Sequence, residues 1–266
     1  MTGLHQFHAA CIAAGVDTPA PVLRGVEMLR VARDMLDVHP VDVLTLSDDD
    51  VRARVVDLSI RAHGVAPRLG SGGLEPGVNE FESDVIAQVR EAMADSIEEM
   101  TVGLQPAFDK AAAPLVDAVS KYGFTYQTTS DEVIGLGDTK AVDAWRACRA
   151  AWAQLQPIAN LRRMLSEVFT VSPTATEIRD LYVLLPEGVI TGNQVNWSIA
   201  FAAGDNWSLE IGGYAIERAH SVSSLDWFAL APGGLHLNTP AEVHEKLTAY
   251  RTRLIENLTP VADSVD

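Results

Sequence analysis

The stretch from Phe81 to Tyr122 constrains this chain most. Phe81, Val85, Val89, Met93, Ile97, Met100, Leu104, Phe108, Ala111, Leu115 and Val119 return every three or four positions. That spacing puts them on one stripe of a helix. A single helix over 81–122 would span roughly 60 Å, too long for one small core. The chain must either break the rod or pack a partner along it. Gly103, Pro106 and Pro114 interrupt its second half, and Pro106 suits the first turn of a new helix. The expectation is therefore a kinked or two-part helix, broken near Gly103–Pro106.

The first half of the stretch is acidic. Glu91, Asp95 and Glu98 or Glu99 share one face, where like charges cost a few tenths of a kcal/mol each. A solvated face explains them, and so does a basic helix packed against them. The run after Asp138, to about Phe169, supplies such a helix with Arg146, Arg149, Arg162 and Arg163. On it, Val142, Trp145, Cys148, Trp152, Leu155 and Ala159 form a nearly heptad seam. The acidic face is expected to meet arginines from 146–163 of this chain or of a neighbouring copy.

Earlier elements are shorter. A helix over Leu4–Ala14 carries His5, His8 and Cys11, three apart but not on one face. With no carboxylate in the segment they do not complete a metal set, and they read as part of a partly mobile terminus. A second helix spans 21–38, and Ser47 with Asp50 caps a third that stops at Gly64. Asp48, Asp49 and Asp50 serve the positive end of that helix; the spacing and glycine of a calcium loop are missing. Residues 66–79 (APRLGSGGLEPGVN) read as a linker. Its Gly70-Ser-Gly-Gly lacks the Gly-Lys-Ser/Thr of a phosphate cradle.

After Ser172-Pro173 the pattern changes. Tyr182–Leu185 reads as a strand. Val195, Trp197, Ile199 and Phe201 alternate with polar or small residues, as do Trp207, Leu209 and Ile211. Joined at Gly204-Asp205-Asn206, they predict a hairpin over 194–212 with one apolar face. Leu225–Leu230 offers a further strand. Thr239-Pro240-Ala241-Glu242 is a capping box with proline at the first helical position, opening a helix over 240–258.

The expected fold class is α+β, predominantly helical: an N-terminal bundle of long amphipathic helices, a small antiparallel sheet and a closing helix. The expected segments are 1–65, the linker 66–79, the long-helix region 80–170 and the α+β region 171–266. A net charge of −16 disfavours nucleic acid and anionic membrane as partners. No apolar run approaches the roughly 20 residues that cross a bilayer. Met1–Gly15 lacks the pattern of a secretion signal. The reading is a cytoplasmic or virion-associated protein. Cys11 and Cys148 are too few for a disulfide framework, and Cys148 in mid-helix reads as a buried structural thiol.

No motif carries a resemblance to a known family, and no cofactor or metal signature is present. The leading functional expectation is a non-enzymatic structural or assembly protein. It would pack through its long helices with itself or a protein partner. The extended amphipathic helices, the heptad-like seam at 142–159 and the lack of a catalytic motif place a virion or other large-assembly component within that expectation. A competing reading is a hydrolase or transferase with a site at His220, His236, Asp226 and Glu242, with His244 and Glu245 nearby. This requires His220, His236 and Asp226 to converge in one pocket. A third is a binding module using Trp197, Trp207 and Trp227, although the alternation favours those indoles as core.

Overall fold

The computed structural model describes residues 3–36, 46–63, 75–182, 198–203 and 225–258. The helices are α1 (Gly3–Ala14), α2 (Ala20–Asp34), α3 (Asp48–His63), α4 (Glu75–Met93), α5 (Ile97–Tyr122), α6 (Ser130–Gly135), α7 (Thr139–Phe169), α8 (Ala175–Tyr182), α9 (Trp227–Leu230) and α10 (Pro240–Leu258). Among the described residues there is no strand and no sheet, so the α+β expectation is corrected to an all-helical fold.

The long stretch breaks, but not where glycine and proline suggested. α5 runs through Gly103, Pro106 and Pro114 without interruption, and the break is a 3-10 turn at Ala94–Ser96. Proline removes one backbone donor and frees the carbonyl four residues back. For Pro106 that carbonyl is on Val102, and both residues are exposed, so water can take the bond. Buried Ile97, Leu104, Phe108, Ala111, Ala112, Leu115 and Ala118 hold the apolar stripe of α5 against the core. Packing along this stripe outweighs the propensity cost of the prolines. Upstream, Glu75–Asn79 of the expected linker opens α4; 64–74 lies outside the described residues.

α5 and α7 make the most extensive helix pair, α1 lies on α7, and α2 lies on α4. The terminus read as mobile is core: Leu4, Phe7 and Cys11 are fully buried, and Phe7 meets Phe169 edge-on at 5.0 Å. α2 approaches closely at Gly25, where an added Cβ would lie 2.8 Å from Val89 and 3.1 Å from Leu4. Glycine is needed there for space.

The described part of the expected hairpin folds differently. Ile199, Ala200 and Phe201 are consecutive and all fully buried, as is Ser198. A segment covered on every side has no polar face, so alternation was not its burial pattern. The pairing is a single antiparallel bridge, Ala202 with Leu235, flanked by His236 N–H to Phe201 O and Asn238 N–H to Ala200 O. Trp197, the loop at 204–206, the second expected strand and Trp207 lie outside the described residues. So do Val183–Leu185; Tyr182 itself ends α8. The strand expected at 225–230 is instead the helical turn α9, with Asp226 accepting from Phe228 N and Ala229 N. Trp227 is buried against Phe108 and Phe201 at 6.0 and 5.2 Å. It fills core and offers no platform to a ligand.

Candidate functional site

Arg162 is fully buried on α7. Its Nε donates to Asn238 O at 3.0 Å, Nη1 to Ser166 Oγ at 2.7 Å and Nη2 to Ser172 O at 2.7 Å. Burial pushes its pKa down to about 10, against the opposing charge of Glu98. The fork joins α7 to two loops that return to it. The first leaves α7 at Thr170, whose φ of 60° reverses the chain. The second precedes α10, where Asn238 Nδ2 donates to Ile199 O at 2.8 Å and Ala202 O at 2.7 Å. Lys246 Nζ donates to Asn238 Oδ1 at 2.9 Å. No solvent reaches Arg162, so this centre is a clamp rather than a catalytic group.

Next to it, Glu177 gathers donors. Ser172 Oγ donates at 2.7 Å, Thr174 N at 2.8 Å and Thr174 Oγ1 at 2.9 Å. His244 Nδ1 lies 2.6 Å from Glu177 Oε1, tying α10 to α8. Burial raises the Glu177 pKa, but the bonds from His244, Thr174 and Ser172 outweigh it and hold the carboxyl below its ordinary value. A cavity of about 230 Å³ lies beside the pair, lined by Thr174, Asp180, Thr248 and Arg251 among others. The Ser172 hydroxyl is spent on Glu177 rather than poised against the imidazole, so the nucleophile–base geometry of acyl transfer is absent here.

The residues of the enzyme reading are placed as follows. His220 lies outside the described residues. Asp226 is buried and caps α9. His236 Nε2 lies 3.3 Å from Gln105 Nε2 and 3.7 Å from Glu242 Oε2. Glu242 itself accepts from Thr239 N at 2.8 Å as the capping box expects. Asp226 and His236 are thus engaged in separate local structures. His8 Nδ1 is 2.8 Å from Thr18 Oγ1 and Cys11 is buried. No metal-ligating cluster exists among the described residues. Burial pushes the Cys148 thiol up to about 11 and the Cys11 thiol upward as well, away from nucleophilic use.

The expected meeting of the acidic face with α7 arginines is confined to Glu98, which is half-buried and whose charge acts on the buried Arg162 without a direct ion pair. Glu91 and Asp95 are exposed. Arg146 pairs with Asp143 at 3.7 Å and Arg163 with Glu167 at 2.7 Å, both along α7 itself. The α4 acid that crosses to another helix is Glu82, paired with Arg33 of α2.

Among the described residues, exposed apolar surface gathers on α2–α4 and on α3. A groove between α2 and α4 has a volume of about 450 Å³, lined by Arg24, Met28, Val31, Ala32, Met35, Gly77, Val78 and Phe81. Val31 is 50% exposed and Phe81 41%. On α3, Val51, Val55 and Val56 are 43%, 57% and 58% exposed, and α3 shares no extensive interface with another helix among the described residues. Sequence reasoning missed the groove because Val31 and Met35 fall outside the strict stripe of α2. Their spacing of four was the available signal. No helix among the described residues is long and apolar enough to cross a membrane. Searches of protein-family models, curated proteins and solved structures found no match to this chain.

Proposed function

We propose that this chain is a non-enzymatic assembly protein that associates with copies of itself. In this reading α3 of one copy seats in the α2–α4 groove of the next. The observation that supports it is the exposure of apolar side chains on both surfaces of one chain, Val31 and Phe81 at the groove and Val51 and Val56 on α3. Neighbouring apolar positions this exposed are retained at a cost in solubility unless something covers them. The charges are complementary: Arg24 lines the groove, and Asp48, Asp49 and Asp50 begin α3. Among the described residues the other long helices, α1, α5 and α7, pack into a common core beside the groove.

The chain carries −16 overall, so copies repel one another at long range, and salt screens that repulsion. Self-association through an apolar groove therefore tightens as salt rises. A basic protein partner would bind more weakly under the same change. Sedimentation velocity across a salt series separates the two. A species that stays monomeric at every salt and protein concentration contradicts self-assembly.

One observation favours a second reading, a hydrolase or transferase using Glu177 to orient His244 as a base beside the small cavity. It predicts turnover of a test ester or phosphoester that His244→Ala abolishes, and no such turnover removes it.

A further inference from the structure

A third cavity lies along the α7 seam. Of the α7 seam, Leu155 and Ala159 lie in the main core and Trp152 packs at its edge, while Cys148 sits in a smaller cluster with Trp145 against it. Trp145 and Trp152 stand half-buried around a pocket of about 390 Å³ that also takes in Tyr126, Arg149 and Phe228. Trp145 stacks on Phe228 at 5.7 Å, Trp152 tilts over Phe228 at 5.9 Å, and Tyr126 lies 6.4 Å from Trp152. The volume falls in the range of small-molecule sites.

The polar atoms at this pocket are nearly all donors. Each indole has one N–H and no acceptor, and a guanidinium has five N–H groups and no acceptor. Arg149 makes no ion pair and no side-chain hydrogen bond with the described residues, and no carboxylate lines the pocket among them. An aromatic slot beside an uncommitted arginine suits a flat ring that carries an anion. The ring gains offset or edge-on contacts at centroid separations of about 4.5–7 Å. The anion gains the planar fork that matches a carboxylate.

We propose that this pocket binds a small planar aromatic carboxylate, its ring against Trp145, Trp152 and Phe228 and its carboxylate on Arg149. The proposal is independent of self-assembly, because neither α2, α3 nor α4 lines the pocket.

Calorimetric titration of the full chain with 2-naphthoate and with neutral 2-naphthamide tests it. The acid binds with one-to-one stoichiometry and at least tenfold more tightly than the amide. Arg149→Gln, on an exposed position, erases that tenfold preference and leaves amide binding unchanged. Trp152→Ala weakens both ligands. Should that variant fail to fold, Tyr126→Ala, at a position 54% exposed, weakens both by a smaller factor. Equal affinity for acid and amide, an Arg149→Gln variant that still prefers the acid, or no binding at millimolar ligand each overturns the proposal.

Discussion

Replacing Arg162 with methionine removes the fork that joins α7 to residues 172 and 238. The three bonds, at 3.0, 2.7 and 2.7 Å, involve a charged donor, and such bonds contribute about 1.5–3 kcal/mol each, roughly 5–9 together. Against this stands the cost of burying the cation. A pKa pushed down to about 10 corresponds to about 3 kcal/mol, in full across the neutral range because folded and unfolded arginine are both charged there. The difference is about 2–6 kcal/mol of lost stability. Ser172 O keeps the Ser166 hydroxyl at 3.2 Å, which moves the loss toward the lower end. Buried ion pairs are often replaced by apolar residues without loss. Here two of the three acceptors, Asn238 O and Ser172 O, are backbone carbonyls, which stay behind when the arginine goes. Urea unfolding followed by far-ultraviolet circular dichroism measures the change, with the slope unchanged. Arg162→Lys recovers less than half, because one ammonium cannot span three acceptors held by different segments. A methionine variant within about 0.5 kcal/mol of the parent would refute the clamp.

Three other outcomes follow from the same geometry. Pro106→Ala should raise stability by about 1–3 kcal/mol, since proline costs about 3 kcal/mol inside a helix and α5 is unbroken at that exposed position; a neutral result would mean the helix breaks there after all. The Glu177 carboxyl is held low by its donors, so its contribution is present above the unfolded value of about 4.3 and disappears as pH falls through the lower folded value. The stability gap between the parent and Glu177→Gln should accordingly close in acid, and a gap independent of pH would contradict the network. Cys148, its thiol pushed up to about 11 and its surface 2% exposed, should resist alkylation by iodoacetamide at pH 8 until urea unfolds the chain; labelling at the rate of a free thiol would place it at the surface.

Helices were legible wherever periodicity and capping agreed. α7 ends at Phe169 as read, and Ser47 with Asp50 caps α3 through bonds of 3.2 and 3.3 Å. The Thr-x-x-Glu box at 239–242 was recognised, while the same signature at 129–132 and 174–177 opens α6 and α8 unnoticed. Two rules misled. Glycine and proline mark helix ends only when packing does not override them, and the stripe of α5 does. Alternation marks a strand only when one face is wet, and 198–201 is buried throughout. The Arg162 clamp could not be read because the two acceptors that tie it to other segments, Ser172 O and Asn238 O, are backbone atoms, which no side-chain pattern reports. The groove arises from two helices far apart in the chain, and its openness depends on what does not pack there.

Self-association through α3 and the groove is tested most directly by mixing two variants. Val31→Asp puts a charge in the groove, and Val51→Asp puts one on α3, near a helix start that tolerates acids. Each alone should sediment as a monomer at a salt concentration where the parent associates. In a reciprocal pair, mixing them leaves one intact groove facing one intact α3, so the mixture should regain part of the associated species. A mixture that stays monomeric, or a single variant that associates like the parent, would contradict the account.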